Sequence, residues 1–344
     1  MNVRSHTAAS PARTPHLSVG LAWFASLKLS AAVIAAMLAG VAYSFHTGTP
    51  PTWSLAGPLV LFALNLGAAV LVNPAFRRQL PLLVFHLALV ALAALVAGGR
   101  LSYLRGTLEL TQGESLAGRL IEFDAGPLHP WRIGQVSFTN QGFEIDYAPG
   151  MRRGDTRNRV TWRDESGAER EAVIGDHRPL VMAGYRFYTT PNKGFAPVFL
   201  WQPHDGPPQR GTLHMPAYPV FQYGQTLEWK LPDGSQLVRA SLEIDEVIID
   251  LERPSQFRLP AEHQLRVEAG SIHTLLRPGD TVALANGTLT YEGLLTWMGY
   301  LVFYDWTLPW LAAAALLATA ALGWHYWSKY GMRPWSACGS GNER

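Results

Sequence analysis

The sequence predicts an integral membrane protein: an α-helical bundle of four transmembrane helices with one extracytoplasmic all-β domain of the sandwich or barrel-like kind. Two observations predict this fold class. Apolar residues make up 48% of the 344 residues, and many of them are gathered into four long runs. Between the third and fourth runs, short alternating stretches are separated by turn residues, which is the pattern of antiparallel strands.

Each apolar run is long enough to cross about 30 Å of hydrocarbon, which takes roughly 20 helical residues. A basic region precedes the first run, so a cleaved signal peptide is an alternative interpretation of it. We interpret it as an uncleaved helix, because it is longer than most signal cores and the next span needs an antiparallel neighbour. The predicted spans are residues 29–45, 53–72, 80–97 and 308–327.

Basic residues orient these spans, because Lys and Arg are concentrated in cytoplasmic connections. The connection at 46–51 has neither residue, whereas the connection at 73–79 has two. Arg100 and Arg105 lie outside the third span, but a long translocated domain tolerates them. We therefore expect an inner (cell) membrane protein with cytoplasmic termini and a periplasmic domain. The residues that mark the cytoplasmic side are Arg77, Arg78, Lys329 and Arg333.

This orientation gives five predicted regions. They are a disordered cytoplasmic tail, three transmembrane helices, the extracytoplasmic β-rich domain, a fourth transmembrane helix and a cytoplasmic tail. We expect the third span to end at Gly98-Gly99, where the chain leaves the membrane. The five regions are residues 1–20, 21–98, 99–300, 301–328 and 329–344.

Turn chemistry predicts three β-hairpins in the long segment. Their turns are Pro232-Asp233-Gly234-Ser235, Asn286-Gly287 and Ser166-Gly167. The first turn joins strands at 226–231 and 236–244, the second joins TVALA to TLTYE, and the third joins 160–162 to 172–174. Further predicted strands are residues 131–138, 143–147, 185–189, 198–201 and 265–268.

Composition and motifs exclude several function classes. A net charge of +2 without a Lys/Arg-rich run argues against nucleic acid binding. The single cysteine, Cys338, allows neither an intrachain disulfide nor a Cys-based metal site. The sequence has no Gly-x-Ser-x-Gly elbow and no Gly-rich phosphate loop, and its extracytoplasmic histidines lack metal-binding spacing. No catalytic residue is assigned.

Two histidines within or at the end of the spans are the candidate functional residues. His86 lies in the third span and His325 at the inner end of the fourth, so both are expected in the inner half of the membrane. Ionisable residues in a bilayer are costly and commonly mark a site or pathway. Two neutral imidazoles at similar depth could be axial ligands of a non-covalently bound haem, with His86 as the hypothetical iron ligand.

The polar and aromatic residues of the spans can also be interpreted as structural, with no cofactor bound. His86 could bond a neighbouring helix, and Asn65 in the second span is expected to join helices. His325 lies in WHYWSKY, which is typical of an interfacial aromatic belt. Three tryptophans are expected as outer-belt anchors or as an apolar shelf for a planar ligand. They are Trp297, Trp306 and Trp310.

Several short motifs, in this order, resemble the ResB (CcsB) family of system II cytochrome c assembly. They are SLKL at residues 26–29, LNL at 64–66, the histidine at His86, the segment RGTLELTQGE at 105–114 and the closing segment GYLVFYDWTLPW at 299–310. The arrangement of three helices, a β-rich domain and one closing helix is also similar to that family. The extracytoplasmic domain here is shorter than is usual for the family.

The resemblance implies a subunit of a haem delivery and attachment complex that presents apocytochrome c outside the membrane. It implies a ResC (CcsA)-like membrane partner, apocytochrome c as client, and transient binding of haem b at His86. The chain would then be a non-catalytic half of a cytochrome c synthase. Two alternatives remain: a membrane-anchored scaffold or assembly chaperone of a respiratory complex that binds no haem, and an electron-transfer protein whose haem is held by His86 and His325.

Overall fold

The computed structural model describes residues 17–222 and 224–331, with the side chains of residues 17–20 and 77 excepted. Most of the two predicted tails, including Arg333 and Cys338, therefore lies outside the described residues. The chain divides into two compact units. In described residues, the membrane unit comprises 17–103, 126–129 and 305–331, and the β unit comprises 104–125 and 130–304.

Four helices of the membrane unit are long and apolar enough to span a membrane, which confirms that part of the predicted fold class. They are the second, third and fifth helices, and the sixth together with a following π turn. The helices are α1 Leu17–Phe24, α2 Leu27–Thr47, α3 Thr52–Val72, α4 Pro74–Arg78, α5 Leu80–Ser102 and α6 Leu308–Tyr326, with the π turn at Trp327–Gly331.

The third span is longer than predicted. Gly98 and Gly99 do not end it, because α5 continues to Ser102. A glycine is tolerated in a membrane helix where a neighbour packs closely, and Gly99 has this role. A Cβ at Gly99 would lie 2.7 Å from Thr307 Oγ1, next to the start of α6.

Residues distant in sequence satisfy the backbone at the end of α5. The last carbonyls of a helix have no partner within it. Gly126 N–H donates to the Tyr103 carbonyl at 2.9 Å, and Leu128 N–H donates to the Leu101 carbonyl at 2.8 Å. His129 Nδ1 bonds the Ser102 carbonyl at 2.9 Å, and burial lowers the pKa of His129. The segment Gly126–His129 therefore caps α5.

Asn65 joins three segments of the membrane unit, as the sequence predicted. It is only 2% exposed in α3. Its Nδ2 donates to the carbonyls of Phe24 and Ser26, and its Oδ1 accepts a hydrogen bond from Ser30. These bonds fix α3 against the junction of α1 and α2, which is the helix-joining role expected of a buried amide in a bilayer.

The β unit is all-β apart from a 3-10 turn at Ile133–Gln135, among the residues described, which confirms the rest of the fold class. Every pair of neighbouring strands that is described is antiparallel. The strands are β1 Leu104–Thr111, β2 Glu122–Ala125, β3 Thr139–Glu144, β4 Asp146–Ala148, β5 Arg152–Arg153, β6 Arg157–Arg163, β7 Glu169–Ile174, β8 Leu180–Met182, β9 Tyr185–Pro203, β10 Gln209–Thr212, β11 Thr226–Lys230, β12 Leu237–Ile244, β13 Ser255–Gln256, β14 His263–Ala269, β15 Ile272–Leu276, β16 Thr281–Leu284 and β17 Gly287–Tyr304.

These strands form four sheets within the described residues. The largest has seven strands in the order β10-β9-β17-β1-β2, with β8 paired to β9 and β16 paired to β17. A four-stranded sheet has the order β11-β12-β14-β15, and two three-stranded sheets have the orders β13-β4-β5 and β3-β6-β7. The three predicted hairpins are confirmed as β11–β12, β16–β17 and β6–β7.

Four strand predictions were wrong in detail. The strands predicted at 185–189 and 198–201 are parts of one strand, β9, which pairs with β17 along most of its length. The segment 131–138 is not a strand but contains the 3-10 turn, and 143–147 is interrupted at Ile145, which is completely buried. The alternating pattern marks a strand with one solvated face, whereas β9 is buried along most of its middle.

The seven-stranded sheet curls so that its non-adjacent strands meet. Thr111 at the end of β1 contacts Thr212 at the end of β10, with 3.0 Å between their Oγ1 atoms. His214 bonds both Glu109, at 2.8 Å, and Thr111, at 3.0 Å. Its ring stacks on the buried Trp297, with 5.0 Å between centroids. This closure gives the sheet a barrel-like form at one end.

Candidate functional site

His86 lies on α5 about one and a half turns from its first residue. Asn73 caps the N-terminus of the short helix α4, and its side chain accepts a hydrogen bond from Ala75 N–H. This turn places the Phe76 ring against the imidazole, with 4.3 Å between ring centroids. Phe85 contacts the imidazole edge-on at 5.2 Å. His86 is therefore half-buried in an aromatic setting.

The hydrogen bond of His86 sets which ring nitrogen carries a proton in the neutral form. Nδ1 lies 2.7 Å from the Leu82 carbonyl one turn earlier in α5. A carbonyl can only accept, so Nδ1 is the protonated nitrogen and Nε2 keeps its lone pair. Metal-binding histidines commonly have this arrangement, with the other ring N–H bonded to a carbonyl. A histidine with a purely structural role can make the same hydrogen bond.

His325 is half-buried at the end of α6, among exposed aromatic side chains. Its ring contacts Tyr326 edge-on at 5.6 Å between centroids. The neighbouring Trp324, Trp327 and Tyr330 are 50%, 72% and 58% exposed. Exposed aromatic rings at the end of a spanning helix are typical of the membrane interface.

His86 and His325 lie at different distances along their helices from the contact between α5 and α6. Gly99 of α5 lies against Thr307 beside the start of α6, so these two helices are antiparallel. Measured along each helix from that contact, His86 is about 20 Å away and His325 about 27 Å away. His325 thus lies about 7 Å further along its helix from this contact than His86 does.

The face of α5 that carries His86 is not the face toward α6. His86 shares a face of α5 with Ala93, two turns further on. Ala93 lines an apolar groove of about 420 Å³ together with residues of α2 and α3 such as Met37 and Phe62. The side of α5 toward α6 carries other residues, such as Ala91 and Leu95. His86 therefore lies on the side of α5 toward this groove rather than on the side toward α6.

Two of the three predicted tryptophans line a second groove in the membrane unit. Trp306 and Trp310 border a space of about 540 Å³ between α5 and α6. The Trp306 Nε1–H donates to Ser102 Oγ at 2.8 Å. Trp297 was predicted wrongly as a membrane anchor, because it lies in β17, is 2% exposed, and donates its Nε1–H to the Met215 carbonyl.

Sequence reasoning missed the aromatic partner of His86 and the grooves. Phe76 precedes the third span in a connection that was interpreted only through its arginines. A Pro after Asn73, which is a helix-starting pattern, could have indicated α4. The grooves depend on which helices are neighbours, and the amino-acid pattern does not specify this. Among the described residues, no group of three or more His, Cys, Asp or Glu side chains is placed to hold a metal ion.

Together, the four spanning helices, the β unit and the intramembrane histidine define a multi-pass membrane protein with a large all-β unit. The comparison with protein families agrees: residues 75–230 match the model of the ResB-like family. The matched segment begins in α4, includes His86 and ends in the hairpin of β11. None of the curated proteins compared with the chain matches it.

The predicted ResB resemblance is thus confirmed over residues 75–230. The ResB-like family links the chain to cytochrome c biogenesis in general. The four apolar helices fit a lipid bilayer, so the protein is a membrane protein.

Proposed function

We propose that this chain is the ResB-like subunit of a haem delivery and attachment complex for c-type cytochromes, and that His86 binds the haem iron transiently. The observation that carries the proposal is the bond from His86 Nδ1 to the Leu82 carbonyl at 2.7 Å. It leaves Nε2 as the nitrogen able to bind iron. The family match over residues 75–230, which includes His86, supports the same role.

The surroundings of His86 fit a haem. The Phe76 and Phe85 rings supply apolar contacts beside the imidazole. The apolar groove of about 420 Å³ lies further along α5 on the side that His86 shares. An apolar macrocycle fits such surroundings, and haem iron is commonly bound by histidine. His325 stays a second predicted ligand, to be tested separately because it lies further along its helix from the α5–α6 contact than His86 does.

The haem would supply the iron and the vinyl groups to which the client's cysteine thiols add. The residues of this chain would bind and orient it. The Leu82 carbonyl keeps the imidazole in one tautomer and one orientation. The proposed partners are a ResC (CcsA)-like membrane protein and apocytochrome c. The β unit would lie on the periplasmic side of the inner membrane and present the client there.

The test is the absorption spectrum of the full chain co-expressed with its ResC-like partner. We expect a Soret band that decreases strongly in His86→Ala and is partly restored by added imidazole. Haem affinity should fall at least about tenfold in His86→Ala. Even residues that only hydrogen-bond to a metal ligand change metal affinity about 10–100-fold when they are replaced. The matched control is His46→Ala, at the exposed end of α2.

Other outcomes separate the alternatives. A spectrum that is identical in wild type and His86→Ala would refute the role of His86. Absence of a Soret band from both, with cytochrome c assembly still lost on deletion of the chain, would favour the haem-free scaffold. Equal losses from His86→Ala and His325→Ala would favour a haem held between the two histidines.

A further inference from the structure

The β unit contains a groove of about 650 Å³ that no part of the proposed haem role uses. It lies between the loop that follows β12 and the loop that precedes β11. The first loop, residues 245–254, has no regular secondary structure. We call this space the acidic groove. Its lining residues are Tyr218, Gln222, Leu242, Ile244, Asp245, Glu246, Val247, Ile249, Asp250, Leu251 and Glu252.

The groove has an apolar floor and apolar side chains at its edge. Leu242 and Ile249 are 7% and 4% exposed and form part of the floor. Val247 and Leu251 also line the groove, yet they are 73% and 60% exposed. Large apolar side chains grouped at a concave surface mark interaction sites more often than isolated ones do.

The charges of the lining side chains indicate which kind of ligand the groove would bind. Four of the lining residues are carboxylates, and none is Lys, Arg or His. Glu246 pairs with Arg258, which lies outside the lining. Asp250 Oδ1 accepts hydrogen bonds from the backbone N–H groups of Glu252 and Arg253. The groove therefore attracts cations and disfavours phosphate groups.

We infer that the acidic groove binds an extended polypeptide segment that carries both apolar and Lys or Arg side chains. Apolar side chains of the segment would contact Val247, Leu251 and the floor, and its cationic side chains would lie near Asp245 and Glu252. This inference rests on the proposed function, in which the segment belongs to unfolded apocytochrome c. Because residues 245–254 form no strand, the bound segment would contact side chains rather than extend a sheet.

The test measures peptide binding to the full chain in detergent by fluorescence anisotropy. The probe is a reduced, labelled peptide of about 15 residues that contains Cys-x-x-Cys-His, Leu and Lys. A second peptide has Glu in place of each Lys. We expect the cationic peptide to bind more tightly, with an affinity that decreases as salt rises. Asp245→Asn with Glu252→Gln should weaken it about fivefold, since each exposed ion pair contributes modestly.

Matched variants separate the groove from general surface effects. Val247→Ser with Leu251→Ser should weaken binding of the cationic peptide. Val181→Ser with Leu237→Ser is the apolar control, because those side chains are 59% and 53% exposed outside the groove. The charge control replaces two exposed carboxylates elsewhere. These are Glu165→Gln and Asp205→Asn.

Three results would overturn the inference. The first is equal affinity of the chain for the two peptides. The second is an equal loss of peptide affinity in the groove variants and the control variants. The third is a chain that binds neither peptide but self-associates, and whose self-association is lost in Val247→Ser/Leu251→Ser. The last would make the groove a contact between two copies of the chain. Peptide binding needs no haem, so it fails or succeeds independently of the Soret test. If the groove binds no peptide while His86→Ala still loses haem, the proposed function stands without this site.

Discussion

Lys193 is an unusual residue of the β unit because its charge is enclosed. Its side chain is 2% exposed, and Nζ donates one hydrogen bond to the Pro191 carbonyl at 3.3 Å. Nζ also lies 5.7 Å from the centre of the Tyr147 ring. Burial, and to a smaller extent the nearby Arg153, lowers the pKa of Lys193 to about 8, although Asp176 opposes this. Enclosing this ammonium group without a carboxylate in contact destabilises the fold.

The enclosed charge predicts that stability depends on pH in a defined window. The pKa of Lys193 is lower in the folded chain than its ordinary value of 10.5. Between about pH 8 and pH 10.5 the unfolded chain therefore binds more protons, and the free energy of unfolding should rise with pH. The contribution of Lys193 alone corresponds to about 3 kcal/mol. Above about pH 10, the buried hydroxyls of Tyr147, Tyr291 and Tyr300, whose pKa values burial raises, oppose this rise. Thermal unfolding of the full chain in detergent, followed by near-UV circular dichroism, measures it.

Lys193→Met tests the cause of this pH dependence. The variant replaces the ammonium group with an apolar side chain of similar length, so it should be more stable than wild type at pH 7. It should also lack the rise in stability above pH 8. Lys230→Met, at an exposed position of β11, is the matched control and should change neither property. A lower unfolding temperature of Lys193→Met at pH 7 would refute the assignment.

For single residues, the environment could be predicted better in the spanning helices than in the β unit. A polar residue in an apolar run is conspicuous, so Asn65 and His86 were identified from the sequence alone. Lys193 lies in a mixed segment, PNKGF, where a lysine normally indicates a solvated surface. Trp297 was misplaced because a tryptophan near a predicted span indicates the interface, whereas this one fills the core of a curled sheet.

The junction of α5 and α6 depends on the absence of a side chain at Gly99. Thr307 is 0% exposed, and both its backbone N–H and its hydroxyl donate to Asp305 Oδ1, at 2.8 and 2.7 Å. These bonds hold Thr307 against Gly99, where an added Cβ would meet Oγ1 at 2.7 Å. Real Cβ atoms are essentially never this close to another atom, so a larger residue must displace Thr307.

Gly99→Val is therefore expected to destabilise the membrane unit. Overpacking of a closely packed site costs about 1–3 kcal/mol, and the variant should unfold at a lower temperature in detergent. Gly67→Val is the matched control, because Gly67 is also within a spanning helix and a Cβ there would meet nothing within 4 Å. Equal effects of the two substitutions would show that helix propensity rather than the Thr307 contact is responsible.

Elements were predictable where their signals are local. Hairpins were found because turn residues and alternating strands lie next to each other. The end of α5 was not predicted correctly, because its cap comes from Gly126–His129, which follows strands β1 and β2 in the sequence. The long strand β9 was divided, and only the first part of β17, TLTYE, was predicted, since residues buried on both faces remove the alternation on which strand prediction depends.

At the scale of the molecule, hydropathy was sufficient for the fold class but not for the sheet order. Four apolar runs and a strand-rich segment specify a membrane unit and a β unit. The pairing of β1 with β17 joins Leu104 to Tyr304 at one end and Thr111 to Trp297 at the other. No local pattern specifies contacts between residues so far apart in sequence. For the same reason, the candidate site was predicted as His86 and His325, without Phe76 or the grooves.

The proposed orientation of the whole molecule can be tested with cysteines, because the chain has a single one, Cys338. The distribution of basic residues predicts a cytoplasmic C-terminus and an outer β unit. A membrane-impermeant maleimide added to spheroplasts should therefore leave wild type unlabelled until the membrane is permeabilised. In a Cys338→Ser background, Thr49→Cys and Ser235→Cys should be labelled in intact spheroplasts, since both positions are exposed. The opposite result would be labelling of Cys338 in intact spheroplasts and no labelling of either new cysteine. It would show that the orientation is the reverse of the predicted one, with the β unit in the cytoplasm.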